Sequence, residues 1–165
     1  RKVRPSLPLR AALPPRAARM STDREALEAA LAAAPDDVAL HAAYADLLIE
    51  AGDPRGEYVR VQLALEDRNQ PADRLRALEQ QAFELRREHE REWLGRLAEF
   101  VFPEWGPSVG AMVAEPLVAV TWLRGWVHSL ECRSLGPLEM TAVISCRVLG
   151  LLRSFSATIS RFDPL

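Results

Sequence analysis

Four carboxylates near the middle of the sequence are the residues whose types and spacing could do chemistry. Asp46 and Glu50 stand one helical turn apart, and Asp53 and Glu57 follow at intervals of three and four residues. Carboxylates spaced in this way could hold a divalent cation or act as general acids and bases. A structural role accounts for them more simply, with Asp46 accepting hydrogen bonds from a neighbouring helix start and Asp53 capping the next helix. We favour the structural role and keep a metal-binding protein or enzyme as the alternative.

Arginines beside these carboxylates support the structural interpretation. Arg55 or Arg60 paired with Asp46 or Glu50 would form an internal ion network, and such networks perturb pKa values without implying catalysis. The stretch 53–57 contains a proline and one glycine. It therefore predicts a turn and not a loop that binds phosphate.

The other residues with catalytic or metal-binding side chains are scattered. His41, His89 and His128 lack the HxxxH or HxH spacing of a zinc site, and Cys132 and Cys146 belong to no CxxC pair. The sequence contains no G-x-S-x-G elbow and no glycine-rich phosphate loop. We therefore predict no catalytic residue, no bound metal and no cofactor, and we expect two buried thiols in a reducing cytoplasm.

Composition and charge exclude several classes of protein. The 165 residues are 48% hydrophobic and 27% charged, which is ordinary for one globular domain and excludes a disordered chain, a collagen and a disulfide scaffold. The net charge is −2, and residues 21–120 hold 20 acids against 10 arginines. Nucleic acid would be repelled by that stretch. No uncharged apolar run is long enough for a transmembrane helix, so we predict no membrane partner.

The first nineteen residues differ in composition from the rest of the chain. They contain four prolines and six basic groups but no acid, and the sequence from Met20 to Asp23 looks like a natural start. Biased segments of this kind seldom pack, so we expect residues 1–19 to be a disordered leader or an upstream extension. We assign residues 20–98 to a helical domain and residues 99–165 to a β-containing segment.

Apolar residues recur at helical spacing through residues 22–98. Thr22 with Glu25 predicts a capping box on the first helix, and Asp36 or Asp37 should cap the second. Gly52 follows the second helix, where a left-handed residue ends a helix at low cost. We expect four or five antiparallel helices. The later ones are placed at Arg55–Glu66, along the stripe Leu75, Leu78, Ala82, Leu85 and His89, and, after a bend, at Trp93, Leu94 and Leu97.

The helical period ends after Phe100, where prolines, glycines and tryptophans become frequent. Alternation over Trp122–Leu130 predicts one strand, and periodicity leaves Met140–Ile159 open between strand and helix. The predicted fold class is α+β, mainly α, with an N-terminal bundle of four or five helices before a small irregular β-containing segment. The four tryptophans either anchor the helices onto that segment or form an exposed binding patch.

Thirteen residues in a fixed order between Tyr44 and Gln62 carry a family resemblance. Residues 24–66 resemble the short repeat-companion domain of bacterial proteins, which typically reads Y-A-D-W-L-E-E-x-G-D-P-R-G-E-F-I-R-L-Q, and Leu47 stands where that family usually has Trp. Weaker similarity extends to about residue 130, through the stretches 90–95 and 123–127. The matched positions are Tyr44, Ala45, Asp46, Leu48, Glu50, Gly52, Asp53, Pro54, Arg55, Gly56, Glu57, Arg60 and Gln62.

The resemblance implies a role beside repeats, because this domain commonly precedes repeats of the leucine-rich type. We expect a non-catalytic protein-interaction or repeat-capping module with an unidentified protein partner, and the oligomeric state stays open. Residues 135–165 show no L-x-x-L-x-L pattern, which suggests a truncated or frame-shifted repeat region with an uncovered face. The expected interaction surface is Trp122, Arg124, Trp126, Val127 and Leu130. The expected structural signature is Tyr44, Asp46, Gly52, Asp53, Pro54, Arg55, Gly56, Glu57 and Arg60.

Overall fold

Helices make up most of the chain that the structure describes. The structure is a computed structural model, and it describes residues 16–102, 118–133, 135, 137–146 and 149–158. The elements in chain order are helices α1 (Arg16–Ala33), α2 (Val38–Glu50), α3 (Arg55–Glu66), α4 (Ala72–Leu94) and α5 (Ala98–Val101), strands β1 (Val118–Leu123) and β2 (Trp126–Arg133), helix α6 (Pro137–Ile144) and strand β3 (Ser154–Thr158). The predicted α+β class, mainly α, is confirmed.

Helix α1 begins earlier than the sequence pattern predicts. It starts at Arg16, so Thr22 lies inside the helix and the predicted capping box with Glu25 is wrong. Residues 16–19 are alanines and arginines, which favour a helix, and they extend α1 across the expected boundary between residues 19 and 20. Residues 1–15 of the expected leader lie outside the described part of the chain.

The ends of α2 and the start of α3 follow local signals in the sequence. The Asp37 side chain accepts hydrogen bonds at 2.9 and 3.1 Å from two backbone N–H groups in the first turn of α2. Gly52, at φ +74°, follows the end of that helix. Asp53 Oδ1 then accepts the backbone N–H of Arg55 at 2.9 Å. The predicted capping roles of Asp37 and Asp53 are therefore confirmed.

A long helix and a bend complete the bundle. Helix α4 ends at Leu94, and Gly95, at φ +54°, directs the chain into a 3-10 turn over Gly95–Leu97 and then into α5. The predicted short fifth helix is present, but Trp93 and Leu94 belong to the last turn of α4 and the bend lies after them. Helices α1 to α4 pack in sequence, each against the next.

A β-hairpin stands where the alternating pattern predicts one strand. Strands β1 and β2 pair antiparallel. Arg124 and Gly125 form the turn between them, with φ values of +49° and +78°, and a tight two-residue hairpin needs this left-handed pair. The prediction of a single strand over Trp122–Leu130 is wrong, because apolar residues lie on both sides of the turn and periodicity does not reveal the reversal.

The third strand pairs parallel to the second after a helical connection. The sheet has the order β1-β2-β3, and α6 lies in the chain between β2 and β3. The stretch Met140–Ile159, which periodicity left open, contains the end of α6 and all of β3. The expected frayed end at 161–165 lies outside the described residues.

Two apolar clusters hold the bundle and the sheet together. In the larger cluster, residues of α3, α4 and α5 pack with β1, β2 and α6. In the smaller cluster, Leu31, Tyr44 and Leu48 of the first two helices pack against Trp126. Strand β2 contributes to both clusters, so burial of its side chains fixes the sheet on the helices. None of the helices described is long and apolar enough to cross a membrane.

Candidate functional site

The corner between α2 and α3 carries much of the expected structural signature. Gly56 lies where the two helices approach, and a Cβ at this position would stand 2.6 Å from the Ala45 carbonyl oxygen and 2.8 Å from Ile49. Glycine permits this close approach of two backbones. Pro54 precedes α3 with φ −63°, the value that its ring prefers. Gly56 and Pro54 therefore allow the backbone to form the corner between α2 and α3.

Two of the four candidate carboxylates contact Arg60 on the surface. Asp46 Oδ1 accepts a hydrogen bond from Arg60 Nη2 at 2.6 Å, and more than half of each side chain is exposed. Glu57 Oε1 lies 3.9 Å from Arg60 Nη1. Glu50 is exposed in the last position of α2. The pair between Arg60 and Asp46 is one of those that the sequence left open, but it is an exposed ion pair of small energetic weight and not the internal network that was predicted.

Asp53 contacts the backbone of α3 and the side chain of a second arginine, Arg24. Its Oδ1 accepts the Arg55 N–H, and its Oδ2 lies 3.6 Å from Arg24 Nη1. Within the described residues, no three side chains of His, Cys, Asp or Glu are grouped so that they could hold a metal ion. Asp53 therefore has the predicted capping role, whereas the prediction that Asp46 accepts hydrogen bonds from a neighbouring helix start is wrong, since it accepts from the Arg60 side chain.

Arg55 contacts an aromatic ring instead of the carboxylates expected for it. Its guanidinium carbon lies 5.9 Å from the centre of the Trp93 ring, and its Nη2 donates to the Trp93 carbonyl oxygen at 3.4 Å. Of the two arginines that the sequence offered as partners of Asp46 or Glu50, Arg60 therefore makes the pair and Arg55 does not. Sequence spacing could not reveal this contact, because Arg55 and Trp93 belong to different helices.

Tyr44 connects three elements of the fold. Its side chain is fully buried, its hydroxyl donates to Glu28 Oε1 of α1 at 3.0 Å, and its ring stacks on Trp126 of β2 with centroids 5.5 Å apart. Burial raises the pKa of Tyr44 to about 12. The phenol therefore stays protonated at neutral pH and keeps its role as a donor to Glu28.

The predicted interaction surface lies mostly inside the molecule. Trp122 and Trp126 are 9% and 6% exposed, and Val127 and Leu130 are almost completely buried. The Trp122 indole N–H donates to Glu90 Oε1 at 2.7 Å. The prediction of an exposed patch at these residues is wrong, because the hairpin turns its side chains into both apolar clusters. The other interpretation, in which tryptophans anchor the helices onto the strands, holds for the three tryptophans that the structure describes.

Arg124, the remaining residue of that predicted surface, fastens the hairpin turn to the helices. Its Nε and Nη2 donate to the two carboxylate oxygens of Glu66 at 2.6 and 2.8 Å, and its Nη1 donates to the Asp36 carbonyl oxygen at 3.1 Å. These hydrogen bonds hold the pKa of Glu66 below its ordinary value. A two-pronged pair of this kind adds geometric specificity to the attraction, so it sets where the turn lies on α3.

Gly125 brings the two regions of family resemblance into contact. Its N–H donates to Gln62 Oε1 at 2.7 Å, and a Cβ at this position would overlap Val59 Cγ2. Gln62 belongs to the main matched stretch, and Gly125 to the weaker one at 123–127. The two stretches therefore meet in space as a single docking contact between α3 and the hairpin.

Strands β2 and β3 and the helix between them form a parallel β-α-β connection that sequence reasoning missed. Each residue of Ser154–Thr158 pairs with the residue 25 positions earlier in β2. At the same offset, Val127-x-x-Leu130-x-Cys132 corresponds to Leu152-x-x-Phe155-x-Ala157. Both stretches therefore place apolar residues at the same relative positions, although neither has leucine at all three. No strict L-x-x-L-x-L motif occurs after residue 135, and the apolar spacing over 152–157 emerged only from the register of β3 on β2.

Equivalent positions of the two strands differ in burial. Leu130 of β2 is 1% exposed, whereas its partner Phe155 of β3 is 46% exposed. All side chains at positions 153–157 are exposed. Within the described residues, β3 pairs with β2 alone and forms an edge of the sheet. The unit β2–α6–β3 thus ends in an open strand edge that carries an exposed aromatic ring.

Comparisons with known proteins identify no relative of this chain. The searches against family models, curated proteins and solved structures each found no match. The function must therefore be inferred from the residues of this chain and their geometry.

Proposed function

We propose that this protein is a non-catalytic cap for repeats of the leucine-rich type, which dock on the open edge of β3. The observation that carries the proposal is the contrast between Leu130, buried in β2, and Phe155, exposed at the paired position of β3. In a stack of parallel repeats, each repeat covers apolar side chains of its neighbour. A further repeat on β3 would bury Phe155 as Leu130 is already buried.

The dimensions of the unit fit this occupant. The 25-residue offset between β2 and β3 lies within the 20–29 residues of leucine-rich repeats. Each such repeat contains one strand followed by a helix or a 3-10 segment, and β2 is followed by α6. A parallel strand added to β3 would pair with the main-chain N–H and C=O groups along its free edge.

The two edges of the sheet differ, and this difference supports the addition of a repeat at β3 and not at β1. Strand β1 pairs with β2 on the side opposite β3, and helix α5 packs against β1. The stretch 21–120, which includes α2 to α5, is acidic, and its charged helix faces stay in water. Terminal repeats of a stack need a polar outer face. The helical bundle supplies that face, and the edge of β3 receives the repeat.

The proposed occupant is one kind of structure, a parallel strand of a leucine-rich repeat, supplied by the same polypeptide or by a protein partner.

We place this assembly in the cytoplasm. Support for that compartment comes from Cys132 and Cys146, which are both free thiols, because free thiols are typical of reducing compartments. Cys132 is buried as expected, whereas Cys146 is only partly buried, so the expectation of two buried thiols is wrong for Cys146.

A fusion protein tests the capping role. Three consensus leucine-rich repeats without their own N-terminal cap are joined after Thr158 so that the 25-residue spacing continues, and unfolding is followed by circular dichroism and calorimetry. We expect the array to unfold together with this protein and at a higher temperature than the array alone, because the capped array has one exposed edge fewer. An array that melts in the fusion as it melts alone would contradict the proposal.

A pair of variants locates the contact in that fusion. Phe155→Asp places a charge in the proposed interface and should lower the melting temperature of the array. Phe83→Asp is the matched control, since Phe83 of α4 is 54% exposed and lies in another element. Equal effects of the two variants would show that the array does not dock at β3.

A further inference from the structure

A groove of about 230 Å³ lies on the surface of the helical bundle, between α3 and α4. It contains no residue of β3, so an inference from it is independent of the proposed cap. Its lining is mainly apolar, and one charged residue of each sign borders it. The residues that line it are Tyr58, Leu65, Glu79, Ala82, Phe83 and Arg86.

Phe83 is unusually exposed for an aromatic residue beside an apolar groove. It is 54% exposed, which is more than the 46% of Phe155 on the open edge of β3. Leu65 and Ala82 in the same groove are only partly buried. Single exposed apolar residues are ordinary on protein surfaces, but here several of them adjoin. A second aromatic ring that entered the groove would be buried against Tyr58 and Phe83 and would gain ring contacts with both.

Charged residues of opposite sign flank Phe83 along α4. Glu79 precedes it by four residues, and Arg86 and Arg87 follow it by three and four residues. Residues three and four apart lie on one face of a helix, so this face is negative on one side of the ring and positive on the other. Arg86 lies 3.6 Å from Glu90 and is 43% exposed. Glu79 and Arg87 are exposed and form no ion pair within the described part of the chain, so their charges are available to a partner.

A helix face with this pattern is complementary to a second copy of itself. If two α4 helices meet antiparallel on a twofold axis beside Phe83, Glu79 of each copy lies opposite Arg86 and Arg87 of the other. A parallel meeting would instead place like charges opposite each other, which destabilises an interface. Twofold dimers, in which one patch contacts the same patch of the partner, are the commonest symmetric assemblies of soluble proteins. The charge pattern therefore favours a second copy of this chain as the occupant of the groove.

We infer that this protein forms a twofold dimer through α4, in which the Phe83 ring of each copy enters the groove between α3 and α4 of the other. The ring supplies the buried apolar centre of the contact, and the flanking charges form its rim and fix the antiparallel orientation. Because one aromatic residue per copy forms the centre, the interface is small, and the dimer assembles and dissociates reversibly with protein concentration.

Sedimentation equilibrium on the full chain tests the inference over a range from about 1 µM to about 1 mM. We expect the mean mass to rise from 18.4 kDa towards twice that value and to stop there, because a twofold contact closes after two copies. Added salt should weaken the association, since the charges at the rim are exposed and screened. The mass of a single chain at every concentration, or assembly that continues past the dimer, would overturn the inference.

Two exposed apolar residues provide a matched pair of variants. Phe83→Asp should raise the Kd of the dimer at least about tenfold, whereas Val38→Asp should leave it unchanged, because Val38 of α2 is 50% exposed and does not line the groove. Phe155→Asp tests the edge of β3 as another route to association. A Kd that Phe83→Asp leaves unchanged, or that either of the other variants raises equally, would show that the groove is not the interface. In the repeat fusion, Phe83→Asp is compared at low protein concentration, where every variant is monomeric.

A charge reversal and its compensation test the antiparallel orientation, and they provide the answer if Phe83→Asp does not fold. Glu79→Arg places like charges opposite each other and should raise the Kd about tenfold. Arg87→Glu added to the same chain should recover most of that loss, because opposite charges then face each other across the axis. A purely structural role could not explain the recovery, since Glu79 and Arg87 are about two turns apart in one helix. A Kd that Glu79→Arg leaves unchanged, or that the second change does not improve, would contradict the antiparallel dimer.

Discussion

At the scale of single residues, two glycines with similar backbone angles are required for different reasons. Gly52 and Gly125 have φ values of +74° and +78°, which residues with a Cβ rarely adopt. A Cβ at Gly52 would meet nothing within 4 Å, whereas a Cβ at Gly125 would overlap Val59 Cγ2. Gly52 is therefore needed for its conformation alone, and Gly125 is needed both for its conformation and for the contact between the hairpin and α3.

This difference predicts unequal costs of the same substitution. Gly52→Ala should lower the free energy of unfolding by about 1–2 kcal/mol, the cost of a left-handed residue with a side chain. Gly125→Ala should cost roughly 3 kcal/mol, since overpacking against Val59 adds to the same conformational cost. Urea denaturation of the two variants measures both values. Equal losses of unfolding free energy in the two variants would show that Gly125 does not pack closely against Val59 of α3.

A second residue, His41, links stability to pH. It is 2% exposed, and its Nε2 lies 3.0 Å from the Pro35 carbonyl oxygen. Burial, and to a smaller extent the charge of Arg124, lowers the pKa of His41. The hydrogen bond to Pro35 and, to a smaller extent, the charges of Glu66 and Asp37 raise this pKa but do not reverse the shift. The folded protein thus favours the neutral imidazole more than the unfolded chain does.

The sign of the pH effect follows from that lowered pKa. Above the unfolded pKa of about 6.5 the imidazole is neutral in both states, and the stabilisation is fully present. It is lost as pH falls from about 6.5 through the folded pKa, with at most about 1.4 kcal/mol per pH unit. We expect the free energy of unfolding to fall between pH 7 and 5, and His41→Gln to remove most of that slope. His89→Gln is the control, and an unchanged slope in His41→Gln would contradict this account.

At the scale of elements, the corner between α2 and α3 combines a helix cap, a tight crossing and a surface ion pair. Asp53 accepts the first N–H of α3, and Gly56 allows the two backbones to approach. Asp46 and Arg60 join the same two helices on the surface, where water competes for both groups. The signature residues therefore contribute unequally to stability, although the family resemblance treats them alike.

Two aspartates of the signature make this inequality measurable. Asp53→Ala should lower the free energy of unfolding by about 1 kcal/mol, because it removes the acceptor for the Arg55 N–H. Asp46→Ala should cost at most about 0.5 kcal/mol, because it removes only an exposed ion pair. Thermal melts at neutral pH compare the two variants. A melt of Asp53→Ala that matches the wild-type melt would remove its capping role.

At the scale of the whole molecule, strand β2 is the element on which both halves depend. Its side chains fill the two apolar clusters, and Arg124 and Gly125 at its start contact α3 and the loop before α2. Strand β3 joins the molecule through the ladder with β2, through Arg153 Nη2, 2.7 Å from Asp36 Oδ1, and through the Arg153 N–H donated to the His128 carbonyl oxygen. The side chains of β3 are therefore less buried than those of β2.

This gradient predicts different rates of amide hydrogen exchange along the sheet. Amides of β2 that donate within the ladders should exchange only on global unfolding, because both neighbours and both clusters cover them. Amides of β3 should exchange much faster, through local opening of an exposed edge strand. Exchange followed by NMR on the full chain measures both. Protection of β3 as strong as that of β2 would contradict the open edge and weaken the proposed capping role.

The sequence by itself determined most of the helical half. The 3.6-residue period, Asp37 and Asp53 as caps, and Gly52 after α2 are local signals that act within one or two turns, so they could be interpreted without knowing what packs where. The sequence narrowed the pair between Asp46 and Arg60 to four combinations of two arginines with two acids, because these residues belong to helices joined by one short turn. The start of α1 could not be predicted, because alanine and arginine extend a helix without marking its N-terminal end.

Only the tertiary structure decided the second half and the candidate sites. The turn at Arg124 and Gly125, the burial of Trp122 and Trp126 and the contact of Arg55 with Trp93 all join residues that are distant in sequence or lie on separate elements. Strand preference depends on the neighbouring strands and on which face is buried. The alternation of apolar and polar residues therefore could not show that this segment folds back into two strands. The 25-residue offset between β2 and β3 appeared only when parallel pairing set the register, because the pairing of strands depends on the neighbours that pack beside them.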